Sequence, residues 1–429
     1  MKYKKLFLFV VLTLIALQSE AQYRYSIKAS AIYGKVLKHS KNLDSIANGS
    51  VLGGEIAFEW ASSGEGQWEQ YWNFPSFGIG AGFVNLGNNA LLGNAVFAYP
   101  YASIPLVDNE VLRWNIKIGA GLAYLTKTWI DADTTRGVDV STANSAISFP
   151  INFYLNGSTL LEFLTKTPLG FFAELGFSHM SNGSFRNPNF GLNFLYAKVG
   201  ANYRFINDYN RKRFNPAYEL PYDFEGKIVL SGFSRQVNYL DNKNFPVLSL
   251  HLGVATPLTN WYALGGGLDV FYDGIYTNRP TKDNPIFDKY LIEKNDDMNK
   301  LRVGLSINNE LVMGRITGLI DFGVYLYDPI RNAYPHLQKK RGLFYGYNPD
   351  KEDGWNYFRI GLRYRVIDNF VVQVAVKTHL KTAEMLEVGI GYLLPFYRHK
   401  HGSLSSNSKY YFYHHDQREA PEYPSIWLR

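Results

Sequence analysis

The chain has 429 residues, 16% of them aromatic (32 Tyr and 29 Phe), with 38 Gly, a formal net charge of +7 and no cysteine. The absence of cysteine excludes disulfides, thiolate metal sites, cysteine nucleophiles and an anchor on an N-terminal lipidated cysteine. The modest positive charge is too scattered for a nucleic-acid surface and suits contact with lipid phosphates.

Residues 1–21 read as a signal peptide. A basic start (MKYKK) precedes the apolar run LFLFVVLTLIAL, and small residues follow before a mature start at Gln22. Beyond it no apolar stretch is long enough for a spanning helix. The aromatic content is nevertheless high for a water-soluble domain. Together these features indicate an all-β fold, a transmembrane antiparallel β-barrel that is apolar at every second residue and girdled by aromatics.

Alternating stretches predict eight strands in the first half, at about 22–36, 51–62, 75–86, 93–106, 111–126, 147–157, 168–180 and 191–206. Connections after the first and fifth strands are long and polar, and those after the fourth and sixth are short. Strand one therefore runs outward from a periplasmic N-terminus, and strand seven ends at the outer rim. The connection at 63–74 is long for a periplasmic turn. Parity assigns the faces. Phe77, Ile79, Ala81 and Phe83 oppose Gly78, Gly80 and Gly82. Trp114, Ile116, Ile118, Leu122 and Tyr124 oppose Asn115, Lys117, Gly119 and Gly121. The small and polar sets face inward, which fits a narrow barrel of about eight strands.

Residues 207–226 break the alternation and read as a linker. Eight further strands follow at about 227–236, 246–258, 260–275, 300–313, 315–328, 355–367, 368–380 and 384–397. The two halves form either tandem eight-stranded barrels or one sixteen-stranded barrel; the inward glycines and the linker favour the tandem. The domains are thus 1–21, signal peptide; 22–206, first barrel; 207–226, linker; 227–397, second barrel unit and degenerate repeat; and 398–429, a polar tail. A faint repeat places His379 opposite His179, 200 positions apart. His379, however, shares parity with Gln373, Ala375 and Lys377 and should face the lumen, where Glu387 offers an acidic partner. Histidines 399, 401, 414 and 415 read as part of a solvated tail, and the acidic run around Asp296–Asp297 as a solvated loop.

Chemistry concentrates at FSHMSNGSFRNPNFGLN, residues 177–193. His179 shares the outward parity of Phe171, Ala173, Leu175 and Phe177. Ser181 lies two residues on, about 7 Å of backbone away and on the same face. Asn193 opens the outward set of strand eight at the same rim, so a simple hairpin brings His179, Ser181 and Asn193 together. A histidine among lipid-facing positions needs a partner, since burying an unpaired polar group costs roughly 1–3 kcal/mol. The plain alternative is a histidine at headgroup level beside an ordinary turn.

This stretch resembles the lipid A 3-O-deacylases of Gram-negative outer membranes, eight-stranded barrels also called acyloxyacyl hydrolases. Their His-x-Ser-Asn motif matches His179, Ser181 and Asn182, and the resemblance covers residues 22–206. It implies a serine esterase acting on lipid A, with outer-membrane lipids around it and no cofactor or metal. In that scheme His179 is the base, Ser181 the nucleophile and Asn182 an oxyanion-hole donor. The family acid falls at Asn193, an amide that can orient the imidazole; Asn189 is a second candidate orienter, and Glu174 points to the lumen. The rival expectation is a non-catalytic structural or channel-forming barrel.

Overall fold

The computed structural model describes residues 24–109, 111–129, 145–165, 167–205, 222–236, 243–276, 297–329, 354–379 and 382–396. The expected signal peptide, most of the expected linker, and the tail with its histidines lie outside them. Sixteen antiparallel strands close into two separate eight-stranded barrels, as the inward glycines had suggested. The first comprises β1 Tyr25–Val36, β2 Ser50–Ala61, β3 Ser76–Asn85, β4 Asn94–Asp108, β5 Leu112–Leu125, β6 Ile151–Phe163, β7 Leu169–Ser181 and β8 Leu192–Phe205. β1 closes it against β8, from Tyr25 opposite Phe205 to Val36 opposite Phe194. The second comprises β9 Phe224–Gln236, β10 Asn244–Pro257, β11 Tyr262–Asp273, β12 Leu301–Met313, β13 Ile316–Tyr327, β14 Asn356–Ile367, β15 Phe370–His379 and β16 Thr382–Phe396. It closes through β9 against β16.

Alternation sorts the side chains as parity requires. Ile56, Leu175, Val199 and Ile390 are 65%, 63%, 64% and 68% exposed, an apolar exterior suited to lipid rather than water. The inward glycines of β3 have a steric purpose. A methyl group on Gly78, Gly80 or Gly82 would lie 2.4–2.9 Å from the rings of Tyr101, Tyr99 or Phe97 on β4. Large inward aromatics on one strand thus require bare backbone on the next.

Both lumens are filled. In the first, Lys198 reaches Glu55 at 2.8 Å and Glu174 at 3.3 Å, Lys117 bridges the same two carboxylates, and Lys28 joins Glu59 and Glu162. Phe97 stacks on Tyr154 at 4.6 Å above this network. In the second, Arg359 spans Asp269, Asp321 and Glu387, while Arg302 joins Glu384 and Asp328. Buried charges of this kind are tolerated because each has several partners.

Two expectations need correction. Strand six runs Ile151–Phe163, not 147–157. Glu162, beyond the expected end of the strand, is an inward strand residue paired with Lys28. Ile147 instead makes an isolated bridge to Asn189. His379 is lumenal and buried, as parity required, but its acid is Glu384 at 2.5 Å; Glu387 is taken by Arg359 at 2.6 Å.

The overlong connection after β2 also has an explanation. It carries a short helix, α2 Gln67–Tyr71, which follows α1 Lys41–Asp44 in chain order. This segment docks on the short-turn end of the second barrel. Trp72 Nε1 donates to Val312 O at 2.7 Å, Trp72 meets Trp261 edge-on at 5.9 Å, and Asn260 bonds to the Tyr71 hydroxyl.

Glu174 is the acceptor shared by Lys117, Lys198, Ser158 and Tyr196. Glu174→Ala should therefore leave two buried ammonium groups sharing the single carboxylate of Glu55 and destabilise the first barrel by about 3–5 kcal/mol. Denaturant titration of the folded, fast-migrating band on unheated gels measures this, and an unchanged midpoint would contradict the lumenal network.

Candidate active site at the long-loop rim

Strand β7 extends to Ser181, so His179 and Ser181 do share its outward face. The β7–β8 register sets His179 directly opposite Asn193, which accounts for their spacing of fourteen residues. On the other side β6 places Leu155 beside His179 and Phe153 beside Ser181. The sequence-derived trio thus converges at one rim, the end bearing the long loops.

His179 Nδ1 lies 2.5 Å from Asn193 Oδ1. The amide oxygen can only accept, so Nδ1 carries the proton and Nε2 keeps a free lone pair. Gly191 leaves room for the ring. Its φ of +71° suits glycine, and an added Cβ would lie 3.1 Å from His179 Cε1.

Ser181 is 6% exposed and its Oγ accepts two hydrogen bonds. One comes from the Gly183 backbone N–H at 3.1 Å, the other from Asn189 Nδ2 at 3.0 Å. Asn189 therefore contacts the serine and not the histidine, so it is no orienter of His179. His179 and Ser181 are not hydrogen-bonded to each other in this arrangement; such contacts often tighten only when substrate is bound. Asn182 is buried, and its side chain closes its own turn. Nδ2 donates to Arg186 O at 2.8 Å, and Oδ1 accepts the Arg186 N–H at 3.4 Å. That side chain shapes the loop, and the two donors directed at Ser181 belong to Gly183 and Asn189.

The sequence reading missed His39. It sits on the loop after β1, exposed, with Nδ1 3.2 Å from Asn193 Nδ2 and Nε2 2.9 Å from Phe190 O. As an Nε2–H imidazole it donates to Phe190 and accepts the second proton-bearing arm of the Asn193 amide. Leu37 O, 3.1 Å from the same Nδ1, then shares no proton with it. Asn193 is thus held from both sides, by His179 on its oxygen and His39 on its nitrogen. Its backbone is fixed as well, because Leu37 N–H donates to Asn193 O at 2.7 Å. No periodicity links His39 to residue 193; only barrel closure through β1 and β8 brings them together.

The family model described as "Lipid A 3-O-deacylase (PagL)" matches residues 52–202, and the one described as "Acyloxyacyl hydrolase, C-terminal domain" matches residues 224–396. Among solved structures the chain is similar to Neisserial surface protein A, at 10% identity over 42% of this chain and 97% of that one, with a TM-score of 0.31. It is also similar to the outer membrane enzyme PagL, at 14% identity over 40% of this chain and 97% of that one, with a TM-score of 0.26. No curated protein matches the chain.

His39→Ala removes one acceptor from the Asn193 amide and leaves both barrels untouched. The loss of one hydrogen bond, about 1 kcal/mol, should slow modification of Ser181 by a fluorophosphonate probe roughly fivefold. Labelling at the native rate would remove His39 from the site.

Proposed function

Because the chain belongs to the lipid A 3-O-deacylase family, through its first barrel and its C-terminal domain alike, we propose that it is an outer-membrane serine esterase that hydrolyses an acyl ester of lipid A. The observation that carries this reading is the serine itself. Ser181 Oγ receives two N–H donors on an outward-facing rim, beside a histidine whose free Nε2 is oriented by Asn193.

The chemistry follows from these groups. Nε2 of His179 takes the Ser181 proton as Oγ attacks the acyl carbonyl. The Gly183 N–H and the Asn189 amide, bonded to Oγ before attack, are the donors that would pass to the carbonyl oxygen as it gains charge; one such donor is worth about 2.7–4 kcal/mol in a preorganised site. The imidazolium then gives its proton to the departing sugar oxygen. Water repeats the sequence on the acyl-serine, with His179 again the base, and releases a fatty acid. The site faces lipid at the rim, so acyl chains can lie along apolar side chains such as Leu155 and Phe177, 42% and 40% exposed.

Against a channel stand the two lumens packed with ion pairs and aromatic rings. A non-catalytic barrel that retains the motif finds some support in Asn193, where the family has an acid. His39 weighs against that view, because a second imidazole braces the amide where a relic would need none.

Ser181→Ala and His179→Ala should each abolish acyl release from lipid A in detergent micelles with folding intact, as read by mass spectrometry of the lipid. Full activity of Ser181→Ala would sink the nucleophile assignment.

From sequence alone, a carboxylate at 193 should raise turnover by stabilising the imidazolium. The structure qualifies that expectation, since Asn193 Nδ2 faces His39 Nδ1, and a carboxylate there needs that nitrogen protonated, by a charged imidazole or at the expense of the bond from Nε2 to Phe190 O. Asn193→Asp alone should not exceed the native rate. Combined with His39→Asn, whose amide can donate to the new carboxylate, it should turn over faster than the single variant. A double-mutant cycle on kcat tests the coupling, and strict additivity would contradict it.

A further inference from the structure

The second barrel lacks the motif. His379 is followed by Leu380, Lys381 and Thr382, and its imidazole is buried against Glu384 in the lumen. Its contribution is to be sought where it touches the first barrel. One contact is the α2 segment at the short-turn end. The other falls on the loop at 182–191, which carries both N–H donors of Ser181.

The second contact is dense. Gln236, the last residue of β9 and buried, donates its backbone N–H to Ser184 O at 3.0 Å. Its side-chain Oε1 accepts the Asn187 N–H at 2.8 Å, and its backbone oxygen accepts Asn187 Nδ2 at 2.8 Å. Ser184 Oγ donates to Ala383 O at 3.2 Å, and Asn244 Nδ2 donates to Phe185 O at 2.8 Å. Phe185 packs on Phe233, ring centroids 5.7 Å apart.

The held segment is also strained. Gly183 and Ser184 both have positive φ, +64° and +65°. For a serine the left-handed region costs about 1–2 kcal/mol, and such residues persist where surrounding contacts over-determine them. Here many of those contacts come from the second barrel. Gly183 is pressed against it too, since a Cβ there would lie 3.2 Å from Leu386 Cβ. The conformation of Gly183 directs its N–H at Ser181 Oγ.

We propose that the second barrel is a positioning element for the site on the first, and that Gln236 is its principal positioning residue, holding the 183–187 turn so that the Gly183 and Asn189 donors meet Ser181. The proposal rests on the esterase reading only for its kinetic consequence; the order of the loop is measured without it.

The test uses the full-length protein and two readouts, acyl release from lipid A and amide hydrogen exchange of the 182–189 segment. Gln236→Ala removes the acceptor of the Asn187 N–H. It should speed exchange in the segment and lower kcat about tenfold to a hundredfold with little change in KM, the effect of a slightly misplaced donor. Gln236→Glu, which keeps an oxygen at the same place, should restore most of both. Trp72→Phe breaks a contact at the opposite end and should change neither. If Gln236→Ala does not fold, Phe233→Leu, which loosens the same turn through Phe185, decides by the same readouts. Native exchange and native kcat in the folded variant overturn the proposal, as does an equal loss in Trp72→Phe, which would mean general loosening of the barrels. If the native protein releases no acyl chain, the esterase reading fails by itself, and the exchange comparison still decides the role of Gln236.

Discussion

The interior of each eight-stranded barrel here is filled by its own side chains, about the limit that eight strands set. Everything that points inward must therefore be satisfied by other inward residues, and everything that points outward meets lipid. This constraint explains the glycines of β3 beneath the rings of β4 and the lysines held between pairs of glutamates. It also decides where chemistry can occur. A substrate with acyl chains cannot enter such a lumen, and Glu174, though acidic and close in sequence, is consumed by Lys117 and Lys198. The reactive groups have to lie at the end of an outward face, where strand gives way to loop.

Much of this was legible in the sequence because alternation is a local signal. Parity placed Ile79 and Leu122 outside and Lys117 inside, and it turned His379 inward although the repeat matched it to His179. The pairing of His179 with Asn193 was also legible, since a hairpin is the shortest long-range contact a chain makes. What stayed hidden depended on closure or on side chains acting against type. The far end of strand six, out to Phe163, was hidden because its inward Glu162 is paired with Lys28 on a distant strand. His39 was hidden because 154 positions separate it from Asn193. The true acid of His379 was missed because parity favoured Glu387, whereas a register shift at Lys377–Thr378 skips Glu384 in the pairing and brings it to the imidazole, while Arg359 takes Glu387.

Asn193 illustrates how a local departure from a pattern can be absorbed. A carboxylate in that place accepts protons from two sides and carries charge. An amide accepts on one side and donates on the other, so its neighbour must be an acceptor. His39 in its Nε2–H form meets that need, with Nε2–H donated to the Phe190 carbonyl. The orientation of His179 is thereby preserved while the anionic stabilisation of its charged form is given up. The chain retains the geometric half of the usual acid's role and loses the electrostatic half.

The connection at 63–74 was the one misfit in an otherwise regular alternation of long and short links, and its length reflects a contact with the second barrel rather than a flaw in the strand assignment. Together with the turn at 183–187 it fixes the two barrels at both ends. The two contacts act separately. The helix segment joins the barrels at the short-turn end, and the turn at 183–187 is held locally by Gln236, Asn244 and Ala383, in a conformation of Gly183 and Ser184 that the first barrel's own contacts support only in part.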